Sequence, residues 1–346
     1  MYALSKSTRI ANHGMMSNTG QLTEFDLIAR YFSGIDGGVQ SSSVALSVGD
    51  DCALLSLPAD QQLALSIDTL ASGRHFPEDA NPYQLAQRAL AVSVSDLAAM
   101  GAKPMAFTLA LTMPSVDTNW LDGFSRGLRF AAEQYKIPLI GGDTTQGPLT
   151  LTLQVHGSVP AGSVLKRSTA QPGDVICVTG TVGDAAAALA VIEDRLAVDG
   201  QQREYLLQRF YAPAARIDIG QALLGIANAA IDISDGLLAD LGHIAKASNV
   251  AAIINADQLP LSAVISQLVE KPQALTYALT GGDDYELCFT VPQENLAQLK
   301  ALDQQFSLRI TEVGTIVPGS GVQCVDGEGN PMAIDLAGYQ HFNHSE

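Results

Sequence analysis

Basic residues are scarce in this chain. Of 346 residues, 19 are Lys or Arg against 36 Asp or Glu, a formal net charge of −17. That balance excludes a protein that grips nucleic acid through its phosphates, and it argues against docking on anionic lipid, since both need a basic surface. Cysteines are few and scattered. Cys52, Cys177, Cys288 and Cys324 form no CxxC pair, which excludes a cysteine zinc site. They are expected to be buried free thiols in a reducing compartment. The most apolar stretch, 185–192, is far short of a membrane span. Residues 1–20 contain Lys6, Arg9, Asn12, His13, Ser17 and Asn18 and no apolar run long enough for a signal peptide. They read as a flexible tail, and the protein is expected to be cytoplasmic, with neither membrane nor nucleic acid as partner.

Several chemistries leave no trace. There is no GxxxxGK[ST] phosphate loop and no GxGxxG dinucleotide fingerprint. HExxH, GxSxG and the HRD loop of protein kinases are also missing. The six histidines (His13, His75, His156, His243, His341, His344) include no pair spaced for one helix face inside a core-like segment, which argues against a zinc hydrolase.

What is present is a chain with 47% hydrophobic residues, enough to bury a core in each of two domains. The expected units are 21–161 and 162–346, after the tail. Helices are expected at 24–32 with Thr23 as N-cap, at 82–100 after Asn81 and closed by Gly101, and at 118–135, 183–198 and 237–247. Strands are expected at 44–48, 62–67, 105–112, 137–140, 149–159, 175–179, 229–233 and 285–291. Helices do not follow every strand, so the fold class is α+β with mixed sheets rather than a regular doubly wound fold.

Aspartates recur at the expected strand ends or in a small-residue helix: Asp50/Asp51, Asp68, Asp96, Asp143, Asp232/Asp235 and Asp283/Asp284. Any one alone reads as a turn or surface residue. Asp96 alone could face solvent, although its neighbours from Ala91 to Met100 are small or apolar. Together they crowd, and two unit charges at 4 Å interact by about 4 kcal/mol at an effective dielectric near 20. Such a set needs cations. Oxygen ligands scattered over several loops, with no calcium-hand DxDxDG, fit Mg²⁺ that also binds substrate phosphates. The residues therefore point to Mg²⁺-dependent phosphoryl transfer without a P-loop. An acidic cation-binding protein without catalysis remains open. A haloacid-dehalogenase phosphatase fits less well, because Asp232 and Asp235 are spaced DxxD rather than DxD.

The motifs Val48-Gly-Asp-Asp-Cys-Ala-Leu-Leu55, Ser66-Ile-Asp-Thr-Leu70, Ser95-Asp-Leu-Ala-Ala-Met-Gly-Ala102, Gly141-Gly-Asp-Thr-Thr145, Asp232-Ile-Ser-Asp-Gly236 and Gly281-Gly-Asp-Asp-Tyr-Glu-Leu287, with the closing Gly338-Tyr339, resemble the thiamine-monophosphate kinase family. That family shares an ATP-binding superfamily with aminoimidazole ribonucleotide synthetase and selenophosphate synthetase. The resemblance implies ATP-dependent conversion of thiamine monophosphate to thiamine diphosphate by direct in-line transfer, with several Mg²⁺ ions. It implies an N-terminal sheet paired with its twin in a homodimer, and a C-terminal α/β domain. By motif position, Asp51, Ser66, Asp68, Asp96, Asp143, Asp232 and Asp235 are expected to ligate metal. Gly142, Asp143, Arg167 and Ser234 are expected on ATP, with Asp143 and Arg167 carrying the chemistry. His75, Asp283 and Tyr339 are expected on thiamine monophosphate. Three positions depart from the family pattern: Ile67 stands where Thr is frequent, Asp283 where Glu is common, and Arg126 near the place of a nucleotide-facing Tyr. A sibling enzyme of the superfamily, acting on another acceptor, is the alternative.

Overall fold

The computed structural model describes residues 23–39 and 41–332. The expected tail and Tyr339 lie outside them. Helix α1 (Glu24–Leu27) runs on as a π-helical turn to Phe32. Thr23 caps it as expected, its hydroxyl accepting from the Asp26 amide at 3.3 Å. Strands β1 (Val44–Leu46) and β2 (Leu54–Leu55) pair antiparallel and bracket the loop that carries Asp50, Asp51 and Cys52.

The first half then runs β3 (Gln61–Ala71), α2 (Pro82–Ala99), β4 (Lys103–Met113), α3 (Thr118–Tyr135), β5 (Leu139–Gln146) and β6 (Thr150–Pro160). Its sheet has the order β3-β6-β4-β5, with only β4 and β5 parallel. Side chains alternate across a strand. One face buries Leu70, Leu109, Leu111, Leu153 and Val155 in a core shared with α2 and α3. The opposite face leaves Leu63, Leu65 and Ile67 at 45%, 54% and 61% exposure.

The second half comprises β7 (Val175–Thr179), α4 (Asp184–Ile192), α5 (Gly200–Tyr211), α6 (Ile217–Ala222), β8 (Ala229–Asp232), α7 (Leu237–Ser248), β9 (Ala251–Asn255), α8 (Ala263–Leu268), α9 (Lys271–Thr280), β10 (Leu287–Val291), α10 (Leu296–Phe306), β11 (Ile310–Val317) and β12 (Gly321–Val325). Its sheet has the order β12-β9-β11-β7-β10-β8. Every residue of β7, β8 and β10 is buried, as in strands covered on both faces.

Helix α2 joins the halves. Asn81 caps it by accepting from the amides of Tyr83 (3.0 Å) and Gln84 (3.3 Å), Pro82 opens it, and Gly101 at φ 68° follows its end. It packs on α3 and the first sheet, and also on β8 and α6. Its Ala98 and Ala99 share a core with Ile219, Leu223, Ala230 and Leu287. A helix buried on nearly all sides has no polar stripe to show, which is why the stretch around Asp96 reads as small or apolar.

Four expectations change. Asp68 and Gly141-Gly142-Asp143 lie inside strands, because β3 pairs with β6 along its whole length and β5 continues beside β4 to Gln146. Backbone pairing is indifferent to the acid it carries. The helix expected at 183–198 stops at Ile192, and Asp194 follows it at φ 55°. Finally, Cys177, Cys288 and Cys324 are buried free thiols, but Cys52 is exposed.

Candidate active site

Ser66 and Asp68 are two apart on β3, so they share a face, the one turned to α2. There the Ser66 hydroxyl donates to Asp96 Oδ2. One residue earlier on α2, the Ser95 hydroxyl donates to Asp232 Oδ2 at 2.7 Å. Asp232 closes β8 and is only 3% exposed. Carboxylates from both halves thus meet beside α2. Burial, and then the Asp96 charge, push the Asp68 carboxyl up to about 6 and that of Asp232 up to about 7; the Ser93 and Ser95 hydroxyls act against the shift. Asp68 Oδ2 is buried with no hydrogen-bond partner. An orphaned carboxylate oxygen among repelling carboxylates fits a hard cation. Among the described residues no three His, Cys, Asp or Glu side chains are arranged to hold a metal ion by themselves. A cation held here would need water or substrate oxygens as further ligands.

The two glycine-flanked acid loops of the second half are bonded to each other. The Asp283 amide donates to Ser234 O and the Tyr285 amide to Ile233 O, both at 2.9 Å. The approach is close: a Cβ on Gly282 would stand 2.3 Å from Ser234 O. Asp240 fixes the 232–236 loop from below. Its Oδ2 accepts from the amides of Ser234, Asp235 and Gly236 at 3.0, 3.0 and 3.1 Å. Burial raises the Asp240 carboxyl to about 7 against the pull of these amides, with the charge of half-buried Asp235 adding to the rise. Asp283 is held through Oδ1 by Arg88 Nη2 at 2.7 Å and by the Tyr285 hydroxyl at 3.0 Å.

Asp284 departs from its expected role among the cation-seeking acids. It turns inward and accepts from the Gly183 and Ala185 amides at 2.6 and 3.2 Å, anchoring the N-terminus of α4. Burial lifts its carboxyl to about 8.

Asp143 belongs to the other face of the first sheet. It lies in register with Ala110, Thr152 and Thr69, and the Thr69 and Thr152 hydroxyls meet at 2.9 Å on that face. Gly142 is pressed on β4, where a Cβ would come 1.9 Å from Leu109 O. Asp51 and Asp143 line a hollow of about 830 Å³ with Gly142, Leu63, Leu65 and His156. Asp143 and Asp68 are thus three strand spacings apart, roughly 14 Å, and point to opposite faces. The single acidic cluster expected from the sequence is, within one chain, two groups: Ser66, Asp68, Asp96 and Asp232 inside, Asp51 and Asp143 outside. Strand periodicity separates them.

Arg167 is exposed and has no ion-pair partner among the described residues. The Ala230 amide in β8 donates to the carbonyl of Lys166, the neighbour of Arg167, so Arg167 sits beside the strand that leads into the Ser234 loop. His75 sits half-buried just past β3, its Nδ1 accepting from the Ala71 amide at 3.0 Å. Sequence reasoning missed Arg88, Ser93, Ser95 and Asp240. Only Asp240 had a signal, an acid in the first turn of a helix that follows a glycine loop.

The raised carboxyls carry a pH prediction. Asp68, Asp232 and Asp240 hold protons in the folded chain that the unfolded chain releases near pH 4. Their contribution to stability is complete below that pH and is lost as pH rises through 6–7. Without divalent cations the melting temperature is expected to be lower at pH 8 than at pH 6, and added Mg²⁺ should raise it more at pH 8. Calorimetry at both pH values, with and without Mg²⁺, checks this; equal Mg²⁺ shifts would contradict it.

Comparison with known proteins gives first the class. Residues 49–159 match the N-terminal domain, and 171–327 the C-terminal domain, of AIR synthase related proteins. Within that class the chain is 51% identical to thiamine-monophosphate kinase of Escherichia coli K12 over 322 residues, covering 92% of this chain and 98% of that protein. It is 32% identical to that of Bacillus subtilis over 329 residues, covering 93% and 100%. The crystal structure of the Stenotrophomonas maltophilia thiamine-monophosphate kinase superposes with a TM-score of 0.79 at 44% identity, covering 84% of this chain and 93% of that one. A structure described as AaThiL complexed with AMPPCP and TMP gives 0.74 at 31%, covering 83% and 89%. The chain belongs to the thiamine-monophosphate kinase family.

Proposed function

We propose that the protein transfers the γ-phosphoryl group of ATP to the phosphate of thiamine monophosphate, giving thiamine diphosphate and ADP. The observation that carries the reading is the meeting of Asp68, Asp96 and Asp232 beside α2, next to the loop that bears Ser234 and Asp283, in a chain of this family. Both substrates are anionic and so is the site. Magnesium, when bound, supplies the positive charge that offsets both. Ser66, Asp68, Asp96 and Asp232 would hold it, supported by the orphaned Asp68 Oδ2. Asp51, Asp143 and Asp235 are proposed as further metal ligands.

The acceptor phosphate is already ionised, so no general base is needed, and the protein's task is positioning. Gly142, Asp143 and Ser234 would position ATP. Arg167, exposed and with no ion-pair partner among the described residues, is proposed as a phosphate clamp; guanidinium matches phosphate bidentately. His75, Asp283 and Tyr339 are proposed to hold thiamine monophosphate. A homodimer through the open face of the first sheet is supported by the exposure of Leu63, Leu65 and Ile67 on one strand. The buried free thiols support a reducing, cytoplasmic setting. No helix among the described residues is long and apolar enough to cross a membrane.

The test is to mix protein, ATP, Mg²⁺ and thiamine monophosphate and to follow thiamine diphosphate and ADP. Stoichiometric formation of both is expected, and ADP released only with a different acceptor would overturn the reading. Asp283→Ala is expected to raise KM for thiamine monophosphate at least about tenfold while changing KM for ATP much less. Initial rates with each substrate varied would show it, and equal changes in both constants would count against the substrate role.

A further inference from the structure

Arg88 is 2% exposed, in the middle of a helix whose neighbouring residues Leu85, Ala86, Ala89 and Leu90 are core. An arginine there is costly, and an aliphatic residue would fill the space without a charge to bury. The guanidinium lies 3.9 Å over the Phe210 ring, and its Nη1 donates to Phe210 O at 2.7 Å. Its Nη2 reaches across the domain boundary to Asp283 Oδ1 at 2.7 Å. The Tyr285 hydroxyl donates to the same oxygen at 3.0 Å. The Asp283 side chain remains 31% exposed. Both of these bonds fall on Oδ1, so Oδ2 is the oxygen left for a ligand.

The loop that carries Asp283 is not in a relaxed conformation. Asp283 and Tyr285 have φ of 71° and 51°, a region disfavoured for side chains with a Cβ, and most of all for a bulky one. Something must hold that geometry. The two amide bonds to Ser234 and Ile233 hold the backbone, and Arg88 holds the carboxylate. Arg88 also sits eight residues before Asp96 on α2, about 12 Å along the helix axis. One rigid helix therefore grips Asp232 through Ser95 at one point and Asp283 through Arg88 at another.

We propose that Arg88 is a positioning residue of the acceptor subsite, one that acts through Asp283 to set where the thiamine moiety is held relative to the carboxylate cluster. The inference rests on the kinase reading above. Arg88 itself touches no substrate, since its guanidinium is enclosed by Phe210 and Asp283. Its effect is on acceptor binding and not on nucleotide binding.

The experiment is a double-mutant cycle on the full chain. Arg88→Met keeps an unbranched stem against Phe210 and removes the fork. It is expected to raise KM for thiamine monophosphate about tenfold, with KM for ATP within twofold. Arg88→Lys keeps the charge without the planar fork and should fall between wild type and Arg88→Met. If Arg88 acts through Asp283, Arg88→Met/Asp283→Ala will show the same KM for thiamine monophosphate as Asp283→Ala alone. A merely structural role would shift both Michaelis constants together, and independent action would multiply the two single effects; either result overturns the proposal. Should Arg88→Met fail to fold, Arg88→Lys decides: an unchanged KM for thiamine monophosphate overturns the proposal, and a selective rise supports it. Wild-type turnover is the control. Its absence would sink the kinase reading, whereas turnover with unshifted Arg88 variants sinks only this inference.

Discussion

Asp96→Asn is expected to lower phosphoryl transfer on the order of a thousandfold, while the metal-free protein melts higher than wild type. Both effects have one cause. Asp96 is the charge that Asp68 and Asp232 both feel, and it receives the Ser66 hydroxyl. The amide keeps the shape and still accepts that hydrogen bond. It removes one of three crowded negative charges, which relieves repulsion in the metal-free fold and removes an anionic donor from the proposed cation site. Steady-state rates and calorimetry in a chelating buffer measure the two arms. Turnover within tenfold of wild type would remove Asp96 from the site. A lower melting temperature would mean that the carboxylate is structural. A gain in stability with a loss of activity is the pattern expected where function is built on destabilising charge.

The largest stability effect is expected at Glu286. Its carboxylate is 1% exposed and receives the Thr179 hydroxyl at 2.7 Å, Arg209 Nη2 at 3.1 Å and Arg216 Nε at 2.6 Å. Arg209 has a second ion pair, with Asp184 at 3.3 Å, but Arg216 has no other among the described residues. Glu286→Ala would leave those donors facing each other in a nearly dry space. Breaking a buried pair from one side costs about 3–5 kcal/mol. For a chain of this size the melting temperature should fall by roughly 5 °C. Urea unfolding followed by circular dichroism checks it, and a loss below about 1 kcal/mol would show that water reaches the arginines.

The order of α2 was legible because its signals are local: Asn81-Pro82 at one end and Gly101 at the other. The acid motifs were legible for a similar reason, since glycine beside aspartate after an apolar run is a pattern within a few residues. What the residues alone could not show is which acids share a space. Asp68 and Asp143 have the same local look, yet β-sheet register sends one to α2 and the other to the open face, and register is a property of the partner strand. Ser93 and Ser95 read only as small helix residues, and Arg88 carried no signal of its own, because a helix buried all round has no outside to compare with. Asp283 and Asp284 are adjacent and chemically alike; only the fold turns one toward solvent and the other under α4. Helix α5 was missed although Asp199 and Gln202 form a capping box, since a segment with few buried residues gives a weak periodic signal.

The amide bonds from Asp283 and Tyr285 to Ser234 and Ile233 weld two loops into one stiff ply. Loop length is therefore closed to adjustment here, because an inserted residue between 281 and 285 would drag its bonded neighbour out of place. With the acceptor held on this ply, as proposed, a change of acceptor would come from exchanging side chains on an unchanged backbone trace.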